Sequence, residues 1–112
     1  MIFRSELWLQ AVRDIGKCMN CDAVCRPDPA HRNEGKGMGL KQHDSLVAAL
    51  CRKCHDLLDQ GSRLGREERR ALWNRAYART MQWLTDAGFF DQLAIRERGY
   101  RPPSKIIPRA AA

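Results

Sequence analysis

No apolar run in the 112 residues approaches the ~18 needed to span a bilayer, which sets aside a transmembrane helix. The first ten residues hold no apolar signal core and carry Arg4 and Glu6. The chain is therefore expected in a reducing cytoplasm, with its cysteines as thiols or metal thiolates rather than disulfides. There is no internal repeat beyond two CxxC pairs. There is also no phosphate loop, since Gly35, Gly37 and Gly39 follow no strong strand and no GK[ST] closes them. Acidic residues are the scarcer sign, 13 against 20 basic, and the resulting net charge of +7 favours a polyanionic partner through counterion release. The plainer reading of that charge is solubility alone.

What is present is a small domain with 44% hydrophobic residues. A chain of this size buries roughly two-thirds of its unfolded surface, a core small enough to benefit from a staple. Cys18-x-x-Cys21 and Cys51-x-x-Cys54 supply one. Two residues inside each pair let two thiolates reach one ion at ~2.3 Å, and two such pairs complete a tetrahedral zinc site. Redox pairing or unliganded thiols are the alternatives. Cys25 is left over as a spectator thiol. The metal would pin two distant segments together and carry what they enclose, including His31 and Asp44, close to His55 and Asp59.

The periodicity predicts an α+β domain. Ser5 caps a first helix with Leu7, Trp8, Ala11, Val12 and Ile15 on its apolar face and Gly16 as its stop. Ala23 to Arg26 suggests a short strand. Pro27 and Pro29 remove donors, so a strand running on to His31 must lie at an edge or be irregular. Asn33 to Gly39 reads as a loop. Leu46 to Leu50 reads as the buried second strand of a hairpin, delivering Cys51 and Cys54 to the metal.

Cys54 to Gln60 is predicted helical, ending at Gly61, with His55 and Asp59 at i, i+4. That spacing lets an imidazole and a carboxylate share one cation; a capping or surface role is the plainer reading of His55. A longer helix, about 66–87, puts Leu72, Trp73, Ala76, Tyr77, Thr80, Trp83 and Leu84 on one side. Its other side carries Arg69, Arg70, Arg75 and Arg79. Phe89, Phe90, Leu93 and Ile95 close the core. The expected organisation is a single domain over 1–99, with a core at about 18–60 and a helical extension at about 66–87. Residues 100–112 read as a basic, proline-bearing, disordered tail.

These residues resemble a family. Cys18-x-x-Cys21, Ala30-His31-Arg32, Gly37-Met38-Gly39 with Lys41 and Asp44, and Cys51-x-x-Cys54-His55 through Asp59 are similar to the HNH, or ββα-metal, endonucleases. More narrowly, they resemble the small phage and prophage nucleases of the YbcO type. The resemblance covers about Cys18 to Gln60 and extends weakly into the Trp73 to Trp83 helix. It implies a zinc-stabilised ββα core, with His31 as general base at the end of the first strand and His55 as the ligand of a catalytic divalent ion such as Mg²⁺ or Mn²⁺. Two departures stand out. Ala30 occupies a position where many relatives have Asp or His, and Asp44 replaces the middle Asn. Asp59 is the first choice for the missing ligand and Asp44 the second.

The expected activity is metal-dependent hydrolysis of phosphodiester bonds in DNA, with Arg32, Lys41 and the basic helix face holding flanking phosphates without reading sequence. The rivals are a catalytically silent zinc module that binds nucleic acid and a protein-interaction adaptor whose zinc is purely structural.

Overall fold

The computed structural model describes residues 3–32, 42–59 and 63–96, the last four of these without their side chains. The expected glycine-rich loop with Lys41, the Gln60 and Gly61 helix end, the packing of Leu93 and Ile95, and the tail lie outside the described residues. The fold is α+β: α1 (Glu6–Arg13), β1 (Asp28–His31), β2 (Val47–Leu50), α2 (Arg52–Asp59), α3 (Arg66–Asp86) and α4 (Phe89–Arg96). Among the described residues no helix is long and apolar enough to cross a membrane.

Local chemistry sets the helix ends. Ser5 Oγ accepts the Trp8 N–H at 3.1 Å, satisfying one orphan donor of α1. The chain leaves α1 through Gly16 at φ +81°, a left-handed conformation that costs glycine nothing. Gly88 at φ +75° makes the corresponding turn between α3 and α4. At the start of α3 the Glu68 carboxylate accepts the Gly65 N–H at 2.9 Å, half of a capping box.

β1 and β2 pair antiparallel with Asp28 opposite Leu50, Pro29 opposite Ala49, Ala30 opposite Ala48 and His31 opposite Val47. Among the described residues the sheet has two strands, so both are edges, which is how Pro29 is tolerated. All four residues of β2 are buried. Its outer edge is not left bare: the Ala49 carbonyl accepts the Met19 N–H at 2.8 Å, and the Ala49 N–H donates to Thr80 Oγ1 at 3.0 Å. The predicted strand at Ala23 to Arg26 is reduced to one bridge between Lys17 and Val24, with Val24 almost fully exposed. Ala23, Val24 and Arg26 are all exposed and Cys25 only half-buried, so the segment has no face packed on the core.

α3 lays Leu72, Trp73, Ala76, Tyr77, Thr80, Met81 and Leu84 against β2 and the core, a helical stripe close to the one expected. Trp83 departs from it. At 37% exposed it sits on the stripe's margin, while Met81 takes the buried place. Trp8, fully buried on α1, meets Phe3, Phe89 and Phe90 edge-on at 5.3–5.9 Å between ring centroids and so ties α4 to the N-terminus. The helix predicted from Cys54 begins two residues earlier, at Arg52, so Cys54 itself is helical.

Candidate metal centre and flanking imidazoles

The two cysteine pairs meet. Cys18 and Cys21 come from the turn after α1, and Cys51 and Cys54 from the junction of β2 and α2. Their four sulfurs lie within 4.8 Å of one another and could hold a metal ion such as zinc. The Cys21 and Cys51 sulfurs are 3.8 Å apart. Four sulfurs at the ~2.3 Å zinc–thiolate distance form a tetrahedron with edges of about 3.8 Å, so the observed separation fits the ion.

The CxxC spacing works through the backbone. Cys18 Sγ accepts the N–H groups of Asn20 at 3.3 Å and Cys21 at 3.4 Å, and Cys51 Sγ accepts that of Cys54 at 3.5 Å. Asn20 also crosses the cluster, its amide 3.3 Å from Cys54 Sγ. Burial opposes ionisation of Cys18, but the backbone N–H groups of Cys21, Cys51 and Asn20 outweigh it and lower the thiol to about 7. Cys54 goes the other way. Burial, partly offset by the Asn20 amide and reinforced by the other three thiols, raises it to about 12. Four thiols this close cannot all ionise without a cation among them. Cys25 stays outside the cluster, its thiol raised by burial and by the nearby Cys51, Cys18 and Cys21 sulfurs.

The Cys18–Cys21 turn, a knuckle, hangs from α3. Arg79 donates to the Met19 carbonyl at 2.8 Å and to Asp22 Oδ1 at 2.6 Å. Asp22 is the one non-glycine residue at positive φ, 65°, among those described. Arg79, expected on a phosphate-facing surface, therefore serves the fold. Arg70 and Arg75 remain on the exposed side of α3.

His31 closes β1, and its Nε2 lies 2.9 Å from Asp44 Oδ1. Asp44 is 3% exposed and ties several segments together: Oδ2 accepts the Ser5 N–H at 2.8 Å and Oδ1 takes Arg4 at 3.2 Å. Burial would raise this carboxyl, but His31, the Ser5 N–H and Arg4 hold it below the ordinary carboxylate range. Asp44 thus joins His31 rather than the His55 pair. Ala30 is fully buried opposite Ala48, and its carbonyl accepts the Trp73 indole N–H at 2.9 Å. A carboxylate at position 30 would be turned into the core, which accounts for the alanine. Trp73 stacks on Tyr77 at 4.7 Å and lies beneath the Arg32 guanidinium, 6.0 Å from it.

His55 stands in the opening turns of α2, between two carboxylates. Its Nε2 is 3.3 Å from Asp59 Oδ2, the i, i+4 partner expected. Its Nδ1 is 3.2 Å from Asp28 Oδ2, a neighbour the spacing along α2 could not indicate because Asp28 opens β1. Arg52 reaches the same Asp28 oxygen at 3.1 Å. His31 and Asp28 occupy opposite ends of β1, about 10 Å apart along the strand at ~3.3 Å per residue. The two imidazoles accordingly form separate carboxylate pairs instead of one shared cluster. Among the described residues, the four cysteines are the one group of three or more side chains within reach of a common ion.

Comparison with protein families, with curated proteins and with solved structures gave no match.

Proposed function

We propose that this chain is a zinc-stapled, metal-dependent endonuclease that hydrolyses phosphodiester bonds in DNA, with an HNH-like core made of β1, β2 and α2. The observation that carries the reading is the His31–Asp44 pair, an imidazole 30% exposed and held at 2.9 Å by a buried carboxylate. Asp44 can only accept from Nε2–H, which leaves the Nδ1 lone pair to take a proton. At the nucleophilic water, His31 Nδ1 removes the proton as oxygen attacks phosphorus, and Asp44 stabilises the imidazolium that forms. The order strand, strand, helix, with His31 ending the first strand and His55 on the helix, is the arrangement the family resemblance implies.

The residues around His55 fit a second ion. Two ligands at ~2.1 Å from one divalent cation stand about 3.0–3.4 Å apart, depending on coordination angle, and His55 Nε2 and Asp59 Oδ2 are separated by 3.3 Å. A cation held there would supply Lewis acidity to the scissile phosphate and the leaving oxygen. Arg32, fixed over Trp73 next to His31, and the exposed arginines of α3 would position neighbouring phosphates.

The silent alternative, a zinc module that binds nucleic acid without cutting it, is favoured by one observation: the His55 pair and the His31 pair do not converge on a common three-ligand site. A plasmid-nicking assay with Mg²⁺ or Mn²⁺ separates the two readings. Cleavage by wild type that is lost in His31→Ala supports the nuclease, and binding without cleavage in every divalent ion supports the silent module.

A further inference from the structure

We propose that Asp28 is a positioning residue that fixes the tautomer of His55 and thereby turns Nε2, together with Asp59, into a divalent-cation site. This rests on the reading of His55 and Asp59 as cation ligands. The carboxylates on either side of His55 pose a problem that a neutral imidazole cannot solve alone. A neutral imidazole carries one N–H, so it can donate to Asp28 or to Asp59 but not to both. Whichever nitrogen lacks the proton then faces an anionic oxygen, lone pair against lone pair, at 3.2 or 3.3 Å. That contact persists only with a second ring proton or a metal cation between the two atoms.

The surroundings decide which side donates. Asp28 is pinned on the sheet, in register with Leu50 and next to the metal-holding Cys51, and it is shared with the Arg52 guanidinium at 3.1 Å. Arg52 holds this carboxylate in place. Asp28 is also the less exposed of the two, 33% against 46% for Asp59. Nδ1–H therefore donates to Asp28, and the Nε2 lone pair is directed at Asp59 Oδ2 across a gap that matches the bite of one divalent ion. A carboxylate that accepts from the other nitrogen of a metal-bound histidine, and so sets its tautomer, typically changes metal affinity 10–100-fold.

Two readouts independent of DNA test the assignment, both on the full chain with its cysteine site loaded with zinc. Long-range ¹H–¹⁵N correlation of labelled histidine reports which His55 nitrogen carries the proton, and titration with Mn²⁺ reports occupancy. The expected result is an Nδ1–H tautomer for His55 in wild type. Asp28→Ala should mix or reverse the tautomer and weaken Mn²⁺ binding about 10–100-fold. Asp28→Glu should recover part of both, and Asp59→Ala should abolish Mn²⁺ binding while leaving the tautomer in place. Unchanged zinc content and circular dichroism establish that each variant is folded. An Nε2–H tautomer or a persistent imidazolium in wild type at neutral pH, or Mn²⁺ affinity unaltered in Asp28→Ala, overturns the proposal. Wild type that passes both readouts yet never cuts DNA removes the nuclease reading and leaves this one standing.

Discussion

Thr80 Oγ1 accepts the Ala49 N–H at 3.0 Å while its own hydroxyl donates back to the Ala76 carbonyl at 2.7 Å. A helix side chain thus completes the hydrogen bonding of a strand that has a partner on one side only. Thr80→Val keeps the shape and removes the acceptor, leaving a fully buried N–H unpaired. Such a group costs about 1–3 kcal/mol, so urea unfolding should show a stability lower by that amount, read as a lower midpoint with an unchanged slope.

The cysteine cluster should hold one zinc per chain. Because the folded ligands and the ion are linked, Cys51→Ser or chelation should lower thermal stability substantially, with metal analysis showing the zinc lost. Binding should also release protons, Cys21 and Cys54 among the sources, since both thiols stand above the ordinary cysteine value without metal. Apparent zinc affinity should therefore rise with pH, measured by competition with a chromophoric chelator.

His31→Ala should lower cleavage about 10²–10⁴-fold with Mn²⁺ affinity nearly unchanged, the loss typical of a general base. His55→Ala should instead weaken metal binding and recover some rate at high Mn²⁺. Equal rates for wild type and His31→Ala in the nicking assay would eliminate the mechanism.

Asp44 gives the fold an acid limit. Its folded pKa lies below the unfolded value, so on acidification the unfolded chain takes up the proton first. The stabilisation is complete above the ordinary aspartate pKa of about 3.9 and is lost as pH falls through the lower folded value. Asp44→Asn should be less stable than wild type at pH 7 and should lose less further stability between about pH 4 and 2.

Nucleic-acid binding should fall linearly on a plot of log affinity against log salt, given the +7 charge. Arg75→Gln, an exposed change on α3, should reduce that slope by about 1 if the residue meets a phosphate.

The parts of this structure legible in the sequence are those written locally. Ser5 before an apolar stripe marks α1, the paired CxxC spacing marks the sulfur cluster, and His55 with Asp59 share a helix face. What escaped prediction depends on residues brought together from afar. Asp28 meets His55 across 27 positions, Asn20 reaches Cys54 across 34, and Arg79 holds the knuckle from 57 and 60 residues away. An aspartate before a proline looks like a turn residue until the strand register places it against α2. Asp44 looked like a spare ligand because nothing in its neighbours announces a 3% exposed position bonded to Arg4, Ser5 and His31.

With a metal joining Cys21 to Cys51, the intervening chain becomes a closed ring, and the β1–β2 pair zips inside it. Ring closure depends on length only logarithmically, each doubling costing about 0.6 kcal/mol. The closure term alone thus changes little when residues are added to the ring. Ring closure by the metal therefore sets little limit on the length of chain carried between the two strands.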